Sequence, residues 1–443
     1  MKDTHILKQI VKEQKLGIHT GIYSICSANK FVIQAVMERA IKEETEVLIE
    51  ATANQVNQYG GYTGMKPADF RDFVYSIARQ LNFPKERIIL GGDHLGPLTW
   101  KNENSEIAMD KSKELIREYV LAGFTKIHID TSMHLADDDH RLSLDTKVIA
   151  ERSAILCAAA EEANSQMKKT DKSAVNPVYV IGSEVPIPGG SQEEEDSLQV
   201  TKVSDFNHTV EVFKQAFSKY NLNVAWENVI AVVVQPGVEF GDEMVHEYDP
   251  QSAKALSMAL KSYPNLVFEG HSTDYQNAES LKQMVEDGIA ILKVGPALTF
   301  AVREALFALN NIENEVFKWK EDAKLSGFSE ILDQAMLKNP ENWKKHYHGD
   351  SGKISFSRKY SLSDRCRYYL TDPEVVNSID ILIKNLKSID IPLTIISQYM
   401  PIQFKKIRKG LIEKDPEALI KDRVDNLLDD YQFAVNSRKE VNL

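Results

Sequence analysis

Arg87-Ile88-Ile89-Leu90-Gly91-Gly92-Asp93-His94-Leu95-Gly96-Pro97 is the stretch on which the reading of this chain turns. Its first four residues form an apolar run of the length of one buried strand. Two glycines and then a Gly-Pro break follow, as at the strand ends of a parallel sheet. Between the glycines and the break stand Asp93, which can exchange a proton, and His94, which can ligate a metal or shuttle a proton. A strand over Arg87 to Leu90 is therefore expected, with chemistry at its C-terminal end. An isolated Asp-His pair is as often structural as functional, so the weight rests on whether the pattern recurs.

It recurs seven times. Further apolar runs span Ile18 to Ile22, Val47 to Ala51, Thr125 to Ile129, Val178 to Ile181, Val229 to Val234, Leu266 to Phe268 and Ile289 to Val294. Between them apolar residues repeat at helical spacing, in Lys30 to Ala40, Ser112 to Leu121, Thr146 to Ala163, Thr209 to Tyr220, Ser252 to Lys261 and Ala278 to Asp287. Pro67 opens another helix at a first-turn position. Eight strand–helix units over roughly 300 residues predict an α/β fold, a (β/α)8 barrel, with an open doubly wound sheet as the rival.

Polar residues gather at or soon after the C-terminal ends of these runs: Asn54, Asp93-His94, Asp130, Glu184, Gln235 and His271, with His19, early in its run, fitting least well. In a barrel those ends form a single mouth. Turning chains account for the Asn and Asp residues better than for His94, Glu184 and His271. From about Asn310 the strand pattern stops and helical periodicity continues, in Asn314 to Leu325, Phe328 to Leu337, Glu374 to Asn385 and Pro416 to Phe433. The expected division is a barrel over residues 1–310 and a helical C-terminal extension, 311–443, packed on it.

Composition narrows the function classes. The net charge of −12 with no long basic run argues against a nucleic-acid partner. No apolar stretch of about 18 residues is present, so no membrane span is expected. The N-terminus lacks the apolar core of a secretory leader. Cys26, Cys157 and Cys366 are widely spaced and odd in number, which suits a reducing cytoplasm and not a disulfide framework or a cysteine zinc knuckle.

Two imidazoles from different strand ends, His94 and His271, with the oxygen ligands Glu184 and Gln235 between them in the chain, suit a divalent Lewis acid; the alternative is a polar mouth of hydrogen-bonded histidines. Lys293 to Phe300 runs from a strand into a helix at Pro296. A helix N-terminus beside Gly295 can hold phosphate, with hydroxyls from Ser272 and Thr273, or Gly295 only permits a turn. Ser357 to Arg367 gathers Arg358, Arg365 and Arg367 with Lys359, to meet a substrate phosphate or to form surface ion pairs. Gly60 to Gly64 and Gly349 to Lys353 lack the strand context of a nucleotide loop. His128, His346 and His348 read as structural, and Glu193 to Asp196 as a solvated loop.

Taken together, Gly91 to Pro97, Gly182 to Gly190, Val233 to Phe240, Phe268 to Gln276, Leu292 to Phe300 and Tyr360 to Arg365 resemble the Z-type (GatZ/KbaZ) subunit family of class II tagatose-1,6-bisphosphate aldolase, over nearly the whole chain. That resemblance implies a barrel related to class II aldolases. It also implies a role in ketohexose-phosphate conversion at C3–C4, either as a partner of a catalytic Y-type subunit or, as in some relatives, as a ketohexose(-phosphate) 4-epimerase. Catalytic class II aldolases use three histidines on zinc and an aspartate beside the first. Asp93 matches that aspartate, His94 the first histidine and His271 the last, while Gln235 falls where the middle histidine belongs. Glu184 resembles an acidic residue of the fifth strand, placed to join the ligands or the proton transfer. The cofactor implied is a divalent metal, Zn2+ first, with Mn2+ or Ni2+ as alternatives. Asn54, Asp130, Ser272, Thr273, Lys293, Gly295 and Arg365 are the expected substrate and phosphate contacts. The expected partners are a ketohexose or its phosphate, a Y-type subunit, and further copies of this chain.

Overall fold

The computed structural model describes residues 5–186, 198–318 and 324–436. Eight parallel strands close into a barrel: β1 Ile22–Cys26, β2 Val47–Thr52, β3 Ile88–Leu95, β4 Lys126–Ile129, β5 Val178–Ile181, β6 Val229–Val234, β7 Val267–Gly270 and β8 Ile289–Val294. Each pairs with the next, and β8 with β1. A two-residue ribbon, Glu239–Phe240 against Val245–His246, sits in the loop after β6.

The interior is built in two halves. Leu48, Ile89, Val178, Val180, Val233 and Ile291 fill the lower half with apolar side chains. A helix not foreseen in the sequence, Ile6–Lys15, closes this end. Its Leu7, Ile10 and Val11, one apolar stripe at helical spacing, pack into the same cluster. His5 fixes the helix start: its Nδ1 accepts from the Leu7 amide at 3.2 Å, and its Nε2 lies 3.1 Å from Thr125 Oγ1. The first strand is also displaced from its expected position. Thr20 makes an isolated bridge to Asn436, so β1 starts only at Ile22, and His19 stays exposed at the end of the barrel away from the mouth.

β3 does not stop at its glycines but runs on through Asp93 and His94. At Gly91 a Cβ would lie 2.6 Å from Cγ and 2.7 Å from Oε1 of Glu50, so glycine is what lets β2 and β3 close over that side chain. At Gly96 a Cβ would lie 1.8 Å from the Asp130 carbonyl oxygen. Between these points the register against β4 shifts and His94 takes φ 47°. Such a bulge turns side chains away from simple alternation, here at the mouth.

The helix Pro296–Phe317 follows β8 and carries the chain across the expected boundary at residue 310. Helices Phe328–Lys338, Ser351–Tyr360, Pro373–Lys387, Leu393–Tyr399, Pro401–Arg408 and Pro416–Val435 succeed it. The last packs against Lys30–Glu43, Ala278–Glu286 and Pro296–Phe317, in the outer ring of the barrel itself. Tyr431 donates to the Thr273 carbonyl at 2.8 Å, and Arg39 pairs with Asp425 at 2.6 Å. The expected helix Asn314 to Leu325 overlaps residues 319–323, which, like the acidic run Glu193 to Asp196, lie outside the described residues. No helix among the described residues is long and apolar enough to cross a membrane.

Two outcomes follow. Gly96→Ala must push β3 from β4, and chemical denaturation should show a loss of about 3 kcal/mol, the upper range for overpacking. Burial, aided by the nearby Lys8 charge, lowers the His5 pKa from 6.5 to about 4. The unfolded chain therefore takes up this proton more readily. The stabilisation from neutral His5 is complete above pH ~6.5 and is lost as pH falls toward ~4, at most about 3 kcal/mol. Melting curves across this window should flatten in His5→Gln; an unchanged pH slope would remove His5 from the account.

Candidate metal and substrate site

Three strands bring three imidazoles together. His94 from the β3 bulge, His128 from β4 and His271 just after β7 have ring centroids 4.9 to 5.1 Å apart, each pair set edge to face. All three are buried. Ligand atoms of Asp93, His94, His128 and His271 lie within 4.8 Å of one another.

Each ring is held by a carboxylate through one nitrogen. His94 Nδ1 is 2.8 Å from Asp130 Oδ2, His128 Nδ1 is 2.9 Å from Asp93 Oδ1, and His271 Nε2 is 3.0 Å from Glu269 Oε1. With these carboxylates ionised, each contacting nitrogen carries the proton and donates it. The His94 amide also points its N–H at His128 Nδ1 at 3.2 Å, a bond that Nδ1 accepts only when unprotonated; the Nε2 lone pair belongs to the other tautomer, in which Nδ1 donates to Asp93 at the shorter distance. The opposite nitrogens keep their lone pairs. Nε2 of His128 is buried with no hydrogen-bond partner. Carboxylate–imidazole pairs of this kind set the tautomer and aim of metal-binding histidines.

Below the rings lies a web of buried charge. Lys126 Nζ stands 2.7 Å from Glu50 Oε1 and 2.6 Å from Glu269 Oε2, all three side chains fully buried. These contacts are ionic and poorly aligned as hydrogen bonds. Lys293 Nζ pairs with Glu50 Oε2 and lies 3.0 Å from Asp93 Oδ1. The web thus holds four carboxylates, of Glu50, Asp93, Asp130 and Glu269, against two ammonium groups, an excess of two negative charges.

The electrostatics favour a cation at the rings. Burial opposes ionisation of Asp93, but Lys293, His94 and His128 outweigh it and hold the carboxyl well below the ordinary range. Burial likewise opposes ionisation of Asp130, and its hydrogen bond from His94 still brings it to about 2. Burial disfavours a charged His94, yet Asp93 and Asp130 raise its pKa above the usual value, so a cation bound at its Nε2 takes the place of the proton these carboxylates attract. Burial lowers His271 to about 3, leaving the neutral imidazole that a metal requires. A divalent cation fits this donor set: three aimed lone pairs, one of them on an orphaned buried nitrogen, and two uncompensated negative charges. His94, His128 and His271 would hold it, with Asp93 adjoining.

The His94 and His271 rings face a pocket with about 660 Å³ of free space, its open mouth included. Asn54, Asp93, His94, His271, Ser272, Lys293 and Gly295 line it, as do Tyr62, Asp274, Arg367 and Tyr368. Other expected residues stand elsewhere. Gln235 Oε1 accepts the Gly237 and Val238 amides at 2.9 and 3.0 Å, so the oxygen meant for the metal is engaged by its own turn. Glu184 Oε2 accepts from Thr201 Oγ1 at 2.6 Å and lies outside the ligand cluster. Asp130 orients His94 and is not part of the pocket wall. Thr273 Oγ1 donates to the Lys293 carbonyl at 2.6 Å, behind the wall. Arg365 Nη1 donates to the Asn342 carbonyl at 3.0 Å within the extension, and Arg367 reaches the pocket in its place.

His128, Glu50, Lys126 and Glu269 were not foreseen as site residues, although the sequence carried a signal. Lys126, His128 and Asp130 alternate along β4 against apolar Ile127 and Ile129. Glu269 and His271 alternate likewise, and Glu50 and Lys293 are charges inside apolar runs. A charge at an inward strand position must be paired, and attention to strand ends alone passes over it.

Comparison with known proteins agrees with this architecture. A family described as D-tagatose-1,6-bisphosphate aldolase subunit GatZ/KbaZ-like matches residues 7–436. The D-tagatose-1,6-bisphosphate aldolase subunit GatZ of Klebsiella pneumoniae subsp. pneumoniae is 48% identical over 431 residues, 97% of this chain and 99% of that protein. The subunit of the same name from Salmonella paratyphi B is 48% identical over 427 residues, 96% of this chain and 98% of its own. A crystal structure described as a probable tagatose 6 phosphate kinase from Sinorhizobium meliloti 1021 superposes with a TM-score of 0.84 at 43% identity, covering 94% of this chain and 100% of that one. With family and relatives matching from the plug helix to the last helix, this chain belongs to the D-tagatose-1,6-bisphosphate aldolase subunit GatZ/KbaZ-like family.

Proposed function

We propose that this carbohydrate-metabolism protein has a working metal-dependent site that acts on a ketohexose phosphate of the tagatose and fructose type at C3–C4. The observation that carries the reading is the set of three carboxylate-held imidazoles over a buried excess of two negative charges. A vestigial mouth has no need to keep so costly an arrangement of buried, ion-paired charges. When bound, a divalent cation, zinc first and manganese or nickel as alternatives, supplies Lewis-acid polarisation of a substrate carbonyl.

The side chains supply the rest. Asp93 is ionised, lines the pocket and stands beside the rings, so it accepts the proton of the C4 hydroxyl. The C4–O bond becomes a carbonyl as the C3–C4 bond breaks, and that electron pair moves toward C2 and its carbonyl oxygen. Re-addition to the opposite carbonyl face returns the proton and inverts C4, so cleavage and 4-epimerisation share one step. Lys293 does not form an imine in this scheme. Burial disfavours its charge, but Asp93, Cys26, Glu50 and Glu269 outweigh that and raise its pKa well above the ordinary value. It remains an ammonium and neutralises Asp93 and Glu50.

A second reading rests on the relatives' description as subunits: this chain supports a separate catalytic Y-type subunit. Co-expression should then give a stable complex on gel filtration, and failure to co-purify would remove that role.

Metal analysis of protein purified without added metal should find about one divalent ion per chain, and His128→Ala and His271→Ala should each lose it. Glu269→Gln should weaken metal retention by about 10- to 100-fold in chelator competition. Protein that holds no metal, and turns over neither fructose 6-phosphate, tagatose 6-phosphate nor tagatose 1,6-bisphosphate after addition of Zn2+, Mn2+ or Ni2+, would leave the accessory reading ahead. Asp93→Asn should keep the metal and lower turnover by about 100-fold or more; a full rate in that variant would assign the proton transfer elsewhere.

A further inference from the structure

The pocket wall tells which end of a substrate is anionic. In barrels a phosphate often sits on the backbone amides after strands seven and eight. Here that cradle is already filled. Asp274 Oδ1 accepts the Gly295 amide at 3.0 Å and the Ala297 amide at 2.8 Å, at the start of the helix Pro296–Phe317. Lys293, the cation on the pocket floor, is neutralised by Glu50 and Asp93.

Among the described residues, one other lysine or arginine lines the pocket. Arg367 comes from the extension and, with Tyr368, supplies the roof of the pocket. Its Nη1 donates to the carbonyls of Ser363 and Asp364, and its Nη2 to the Tyr368 hydroxyl at 3.0 Å. The guanidinium lies 4.4 Å from the Tyr368 ring centroid, and Tyr368 packs edge-on against Tyr62 at 4.8 Å. No carboxylate among the described residues lies within ion-pair distance of Arg367; the neighbouring Asp364 is committed to Arg303 and Thr299. A guanidinium fixed in position through two carbonyls and a ring, with its charge unpaired, is arranged to receive an anion.

We propose that Arg367 is the specificity-determining residue of the pocket: it binds the phosphoryl group of a sugar phosphate at the roof, while the sugar carbons lie toward His94 and His271 on the floor. Asp274 faces the same pocket and disfavours the anion at the helix start, which leaves the roof as its place. The assignment rests on the sugar-phosphate reading above and deepens it by naming the residue that recognises the phosphate.

The test is equilibrium binding by calorimetry with D-fructose 6-phosphate, D-fructose and inorganic phosphate. Wild-type protein, Arg367→Met and Arg367→Lys are compared, with metal content and melting temperature measured on each. Wild type should prefer the phosphate ester to the free sugar by about 30-fold or more, the range of a charge-assisted bidentate contact. Arg367→Met should abolish that preference and phosphate binding while keeping metal content and affinity for D-fructose. Arg367→Lys, which retains the charge should Met disturb the roof, should keep a preference reduced about tenfold. Equal affinity for ester and free sugar in wild type, or full ester affinity in both variants, overturns the assignment. The two readings fail separately: a metal-bearing protein that turns over ketohexose phosphates with an ester affinity independent of Arg367 sinks only Arg367, and Arg367-dependent ester binding without metal sinks only the catalytic reading.

Discussion

Lys126 sits fully buried inside the barrel with a carboxylate on either side, and the mouth above depends on it. One arm runs through Glu269 to His271. The other runs through Glu50 to Lys293, and from there to Asp93 and His128. Two of the three imidazoles are thus aimed by arms that meet at a single ammonium. Removing one partner from a buried set costs about 3–5 kcal/mol, because it strands the other charge. That cost makes the arrangement stiff. A stiff frame of charges can hold ligand nitrogens ready for a cation without reorganisation when it arrives.

The apolar lower half of the barrel and the plug helix make this frame workable. Leu7, Ile10 and Val11 close the end opposite the mouth, so the buried charges meet one another and not water. In that setting Coulombic attraction is stronger than at a surface, as are the penalties for a missing partner. The same logic explains why Lys293 is not a nucleophile. A lone buried lysine loses its proton readily, whereas one between Glu50 and Asp93 keeps it.

The extension is part of the site and of the barrel at once. Its last helix packs among the ring helices and ties to β1 and to the loop after β7. Its Arg367 and Tyr368 line the mouth. Asp364, at φ 45°, takes Thr299 and Arg303 of the helix after β8 as partners, which anchors the roof to the strand that carries Lys293.

Much of this was legible in the linear chain. Alternating apolar runs and helical stretches determined the barrel, because periodicity is a local property. The long motifs around Asp93, Glu184, Gln235, His271 and Lys293 determined the family. Asp93, His94 and His271 were named from their places at strand ends, and the structure brings them together. The third imidazole was beyond local reading. His128 lies mid-strand, and whether it points inward depends on the register of β4 against β3, which a bulge at Asp93-His94 resets. Gln235 stands by position where the third member belongs, but its own turn claims its oxygen. Arg365 and Arg367 differ by two residues in a 3-10 turn, and packing of the extension alone decides which faces the pocket. Sequence determines which groups are available and on which element. Which lone pairs converge is decided by contacts between residues far apart in the chain, such as Glu50 with Gly91 and Lys126 with Glu269, that no local pattern encodes.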